Sequence, residues 1–194
     1  MIAYVFWHRP GPGVDRVAYE RAQATFHAAL GARGIEGFSG STSHRVGSLP
    51  WLAGQGWYED WYLVRGSFAL DHLNHGAVTG ALAGPHEAAV HGVEAMAAAL
   101  YSLRAGEPGD PPPSRADAAQ WFAKPAGTTY AAFDASLAEH TARPGVALWR
   151  RMLVLGPSPE FCLHSPEGAG PDLGPVLVRT PIEGRAAGED RGAR

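Results

Sequence analysis

The 194-residue chain is short of several things, and each shortage removes a class of function. It has one cysteine, Cys162, so no internal disulfide can form and the fold must rest on packing. Lys124 is the single lysine among 16 basic residues, which face 19 acidic ones for a net charge of −3. With no basic run, the sequence offers no electrostatic footprint for nucleic acid or an anionic membrane. No window approaches the roughly 18 consecutive apolar residues of a membrane span. The opening "MIAYVFWHRPGPG" lacks a basic leader region and breaks at Pro10, so it does not read as a signal peptide. Neither GxGxxG nor GxxxxGK[ST] occurs, which leaves nucleotide binding without support. Ser39, Ser41 and Ser43 lack the strand–turn–helix setting of a nucleophile elbow. The expectation is a cytoplasmic protein with neither nucleic acid nor membrane as partner.

What is present is an ordinary globular balance, 45% hydrophobic and 18% charged, with six tryptophans. "IAYVFWH" (2–8) is β-branched and aromatic and stops at "RPGPG", which predicts a strand. A helical stripe of Val14, Val17, Ala22, Ala24, Phe26, Ala29 and Leu30 follows, ended by Gly31 or Gly34. Residues 35–47 read as a strand with Phe38, Thr42, His44 and Val46 on one face. "WYEDWYLVRG" (57–66) alternates, with Trp57, Glu59, Trp61 and Leu63 on one side and Tyr58, Asp60, Tyr62 and Val64 on the other. A short helix is expected over 67–80 with Ser67 as its cap. Residues 85–106 read as a longer helix with a stripe of Val90, Val93, Ala97, Leu100 and Tyr101. "EPGDPPPS" reads as a linker. Beyond it lie strand 118–124, a helix over 129–145 capped by Thr128 or Thr129, strands 146–156 and 159–165, and a last edge strand within 174–182. Residues 183–194 read as a loose tail.

The second half repeats the cadence of the first. Phe6, Trp7, Arg9 and Pro10 align with Trp121, Phe122, Lys124 and Pro125. After a short gap, Tyr19, Ala24, Thr25, Phe26, Gly34, Ile35 and Phe38 align with Tyr130, Ala135, Ser136, Leu137, Gly145, Val146 and Trp149. The division is 1–106, a linker over 107–117, and 118–182. Each half has the order of the split-βαβ, ferredoxin-like motif, whose sheet leaves one face bare. The aromatics of "YVFWH" and "WYEDWYLV" need a cover on that face, and a second sheet supplies it. The fold class expected is α+β: two ferredoxin-like repeats packed sheet on sheet as a pseudo-dimeric barrel. In element order over 2–165 the chain resembles the dimeric α+β barrel superfamily in fused form, which includes antibiotic-biosynthesis-type monooxygenases, EthD-like proteins and haem-binding chlorite dismutase relatives.

Three kinds of chemistry are open. The first is a small-molecule pocket with polar strand ends set in an aromatic wall. His8, His44 and Asp60 are its candidate catalytic groups, and Arg9, Tyr58 and Tyr62 its candidate binding groups. Histidines titrate near neutral pH, and a carboxyl buried among aromatics becomes a stronger base. The second is a metal on His72 and His75, which share a helix face, with His86 or His91 brought over. The third is haem, which the resemblance allows on His75, His91 or His140. No cofactor is predicted from the residues themselves. Cys162 reads as a small buried hydrophobe. The resemblance implies a cofactor-independent monooxygenase or isomerase acting on an aromatic or polyketide-like substrate. The rival is a non-enzymatic module whose sheet faces make a homo-oligomer.

Overall fold

A computed structural model describes residues 1–108, 118–154, 158–165, 171 and 173–182. The expected linker from 109 to its end at 117, the expected tail and the end of the expected strand 146–156 lie outside these residues. The elements are β1 (Ile2–Pro10), α1 (Arg16–Ala32), β2 (Phe38–Ser48), β3 (Gln55–Val64), α2 (Phe68–Ala77), α3 (Ala83–Val90), β4 (Val93–Gly106), β5 (Ala118–Phe122), α4 (Tyr130–Thr141), β6 (Ala147–Val154), β7 (Phe161–Ser165), β8 (Val176–Val178) and β9 (Thr180–Pro181). A 3-10 turn, Gly80–Leu82, joins α2 to α3.

All nine strands belong to one antiparallel sheet in the order β8-β5-β7-β6-β4-β1-β3-β2-β9. Two sheets laid face to face were expected. Instead β4 hydrogen-bonds to β6, so the halves share one continuous sheet. That sheet curls until it nearly closes on itself. The expected single last strand divides in two. β8 pairs with β5 at one edge and β9 with β2 at the other, and only Arg179 stands between them. One short segment therefore spans the seam and covers both edges, which would otherwise present unpaired backbone.

The sheet's inner face carries an aromatic core. Trp7, Trp57, Trp61, Trp121 and Trp149 are buried there with Tyr101, and Trp51 packs against them. The predicted alternation of β3 holds: Trp57, Trp61 and Leu63 face inward while Tyr62 and Val64 face the helices. The predicted helix over 85–106 does not hold. Its first part is α3, but Gly92 (φ 78°) breaks the chain and β4 follows. Alanine favours helix, yet here packing decides. Ala97 lies opposite Trp7 and Ala99 opposite Val5, where small side chains leave room for the indoles.

Smaller differences share that local origin. Val17, expected on the buried stripe of α1, is 66% exposed, and Tyr19 and Gln23 are buried instead. Asp15 caps α1, its Oδ1 accepting from the Ala18 amide at 2.7 Å, and Gly34 rather than Gly31 follows the helix end. Ser67 makes no capping hydrogen bond, whereas Thr129 caps α4. On β2 the register shifts between Phe38 and Gly40, so Phe38 packs under the helices while His44 and Val46 stay inside. The proposed alignment of the halves slips similarly. It matches Phe6 to Trp121, but Trp121 shares the inner face with Trp7, and Phe6 lies on the outer face.

Candidate functional site

The helices α1, α2 and α3 cover the outer face of β1, β3 and β4. Between sheet and helices lies a cavity of about 150 Å³ whose walls include Phe6, Phe26, Leu73 and Met96. His8, Asp60 and Tyr62 form one end of it. Strand geometry explains the grouping. His8 is on β1, Asp60 and Tyr62 are on β3, and all three point away from the tryptophan core by period-two alternation.

Asp60 is 3% exposed and is flanked by two imidazoles. His8 Nε2 lies 3.2 Å from Oδ1, and His27 Nε2 lies 3.4 Å from Oδ2. Each imidazole is backed by a tyrosine ring, His8 on Tyr58 at 5.5 Å and His27 on Tyr62 at 5.2 Å, both stacked nearly parallel. The Tyr62 hydroxyl donates to Asp60 Oδ2 at 3.0 Å. The far nitrogens are held as well: His8 Nδ1 meets the Tyr19 hydroxyl at 2.5 Å, and His27 Nδ1 meets Ser41 Oγ at 2.7 Å. Burial alone would raise the Asp60 pKa. The charges of His8 and His27 outweigh that and hold it well below the ordinary carboxylate range. Burial, and then the Asp60 charge, push the Tyr19 and Tyr62 phenols upward, so both stay protonated.

One detail separates this cluster from a merely satisfied ion pair. His8 Nε2, His27 Nε2 and Asp60 Oδ1 are buried and close, yet none has a properly directed hydrogen bond. Buried polar atoms rarely stay in that condition. His8 and Asp60 both line the cavity, and their two buried atoms lie 3.2 Å apart.

The remaining predicted residues stand elsewhere. Tyr58 does not line the cavity; its hydroxyl donates to Glu20 Oε1 at 2.9 Å, in a cluster with Arg45 and Arg16. Burial would raise the Glu20 pKa, but hydrogen bonds from Arg45, Arg16 and Tyr58 lower it on balance. Arg9 donates to the Ala53 carbonyl at 3.0 Å and lies over the Trp57 ring. His44 is on the opposite face of the sheet, fully buried, where Arg179 Nη2 donates to its Nδ1 at 2.9 Å. Because Arg179 only donates, neutral His44 carries its proton on Nε2.

His72 is exposed, 3.6 Å from Glu36, and His75 is exposed on the same helix. Among the described residues no group of three or more His, Cys, Asp or Glu side chains converges on a metal position. None of His75, His91 and His140 lines the cavity.

Sequence reasoning missed Tyr19, Gln23 and His27. Their signal was present: i, i+4, i+8 on α1 is a polar stripe on one helix face. Gln23, buried, donates to the Ala89 carbonyl at 2.7 Å and ties α1 to α3. Also missed was the polar centre inside the barrel. Glu59 accepts from the indoles of Trp7 (2.9 Å) and Trp61 (2.8 Å) and lies 3.0 Å from Arg179 Nε, with both members of the ion pair fully buried.

No protein-family model matches the chain, and no curated protein does. Among solved structures the chain is similar to a candidate chlorite dismutase, over 94% of this chain and 95% of that one, at 12% identity and a TM-score of 0.50. It is also similar to a candidate monooxygenase from Lactobacillus acidophilus, over 92% of this chain and 76% of that one, at 12% identity and a TM-score of 0.47. An EthD-family protein from Bacillus halodurans matches over 52% of this chain and 96% of its own, at 15% identity and a TM-score of 0.36. Likeness at such identity concerns fold alone: the chain is an antiparallel α+β barrel. Among the described residues no helix is long and apolar enough to cross a membrane.

Proposed function

We propose that the chain is a pair of fused ferredoxin-like units whose first unit is a cofactor-independent acid–base enzyme for a small aromatic substrate. Support for the fused pair is the strand order, β4-β1-β3-β2 in one half and β8-β5-β7-β6 in the other. The observation that carries the enzymatic reading is the His8–Asp60 pair, with two unsatisfied atoms at the polar end of an otherwise largely apolar cavity. The second half supports it by contrast. Its helix-side face is filled by Phe122, Phe133 and Phe161, with Phe122 and Phe161 stacked at 5.7 Å. A face that only has to pack uses phenyl rings; the first half instead buries a carboxylate between two histidines.

The chemistry follows from the atoms. Tyr19 engages His8 Nδ1, so Nε2 is the nitrogen that exchanges protons with the cavity. With Nε2 unprotonated, His8 withdraws a proton from an activated C–H or O–H of the substrate. The imidazolium formed lies beside the Asp60 carboxylate, which remains ionised and stabilises it. The Tyr62 hydroxyl occupies Oδ2 and, with the His27 ring 3.4 Å from the same oxygen, fixes the carboxylate's orientation. A cavity of ~150 Å³ is of the size that takes one benzene-sized ring, so the substrate is a single-ring compound at its reacting end. The apolar walls exclude water from the transfer.

Deuterium exchange at the acidic C–H of phenylacetone in D2O, followed by proton NMR, tests this. The native protein should exchange it faster than buffer does, and His8→Gln should remove about 10²-fold or more of that acceleration. Equal exchange by the native protein and His8→Gln would overturn the role given to His8.

A further inference from the structure

The cavity's polarity runs the wrong way for a protein surface. Its charged end is buried, with His8 6% and Asp60 3% exposed. Its outer end is apolar and exposed: Val78 (47%), Val90 (43%) and Met96 (62%) all line it and all reach solvent. Large exposed hydrophobics are ordinary when scattered singly. These three come from the end of α2, the end of α3 and the start of β4, and they meet at one opening. The apolar lane continues on the sheet. Leu100, further along β4, is directly opposite Leu153 of β6, which is 54% exposed.

Charge narrows the occupant. Between Arg65 and Arg104, which includes α2, α3 and the start of β4, there is no lysine or arginine, while Asp71, Glu87 and Glu94 are acidic. These elements therefore bring no fixed positive charge to the mouth for a phosphate or carboxylate at the outer end of a ligand; the polar side chains they add to the lining are Asn74 and His86. At the inner end stand His8 and Asp60, with Asp60 Oδ1 buried 3.2 Å from His8 Nε2.

Resting on the acid–base reading above, we infer that the substrate is a single-ring phenol or enol bearing an uncharged alkyl tail, bound head first, with the tail leaving over Val78, Val90 and Met96. The hydroxyl donates to Asp60 Oδ1 and accepts from His8 Nε2 once that nitrogen has taken up a proton, the ring fills the cavity against Phe6 and Phe26, and the tail covers the apolar rim. Head binding sets orientation, and the tail supplies affinity through apolar area removed from water.

The test is a series of 4-alkylphenols, from methyl to heptyl, titrated against the native protein by calorimetry. Affinity should rise roughly fourfold per methylene while the tail crosses the rim, and level off once it passes into solvent. Met96→Glu should weaken 4-heptylphenol by tenfold or more and leave 4-methylphenol within twofold. Val90→Glu, on a second exposed side chain, should repeat that pattern. A heptyl analogue ending in a carboxylate should bind more weakly than 4-heptylphenol. If 4-methylphenol binds in an Asp60-dependent way but affinity is flat along the series, the tail inference is wrong and the acid–base site stands. If 4-methylphenol binding is absent or indifferent to Asp60→Asn, the site itself is wrong and the inference goes with it.

Discussion

Replacing Arg179 by methionine gives a test of the barrel whose size follows from the structure. Arg179 is the single residue between β8 and β9, and its side chain points into the tryptophan core to meet Glu59. Methionine keeps much of the volume and removes the charge. Glu59 would then be a fully buried carboxylate with the Trp7 and Trp61 indoles as neutral donors and no counter-charge on Arg179. Breaking a buried ion pair from one side costs about 3–5 kcal/mol. Against a total stability of roughly 5–15 kcal/mol, that is a large fraction. Glu59→Gln keeps an oxygen for the indoles while removing the charge. The double variant Glu59→Gln/Arg179→Met should therefore recover most of the loss, because no charge is left buried. Urea unfolding followed by tryptophan fluorescence reads all four corners of the cycle. Hydrogen exchange should rise in 176–181 in the single variant, since the seam loses its inward anchor. An Arg179→Met protein within 1 kcal/mol of the native one, or a double variant no better than the single, would refute the reasoning.

Two further outcomes are expected. His44 and His164 are buried, and burial followed by the Arg179 charge lowers both pKa values well below 6.5. The unfolded chain takes up protons on them as pH falls below about 6.5 and the folded chain does not, so their contribution is full above that pH and is lost below it. His164→Leu should therefore lose less stability than the native protein between pH 7.5 and 5.5, by up to about 1.4 kcal/mol per pH unit, in urea titrations at each pH. At the end of β4, Gly106 has φ 76°, and a Cβ there would lie 2.1 Å from the Val146 carbonyl oxygen. Gly106→Ala should cost at least 1–3 kcal/mol from backbone strain alone, measured by the same unfolding assay.

What the sequence makes legible depends on how local its cause is. β3 shows plainly, because Trp57 to Val64 alternate at period two and both faces are buried. β4 does not, because its alanines carry helical propensity and their strand role comes from the tryptophans across the sheet, such as Trp7 opposite Ala97. Phe38 is misplaced by the register shift at Gly40, a backbone feature that alternation cannot show. Of the candidate site, His8, Asp60 and Tyr62 are readable as polar residues in aromatic strands, and the structure gathers them at one cavity. His44 shares their character but sits on the other face. Tyr19, Gln23 and His27 form a polar stripe on α1 that the apolar spacing of the same helix hides. Glu59 with Arg179 lay beyond any pattern, because the pair exists only when the last strands cross the seam.

The central claim is that His8 and Asp60 form the polar floor of a ligand site between sheet and helices. Crystals grown with 4-ethylphenol test it directly. The phenol oxygen should lie within hydrogen-bonding distance of Asp60 Oδ1 and His8 Nε2, the ring against Phe6 and Phe26, and the ethyl group toward Met96. A ring bound among the tryptophans inside the barrel, or one in the cavity with its hydroxyl turned out to solvent, would contradict it.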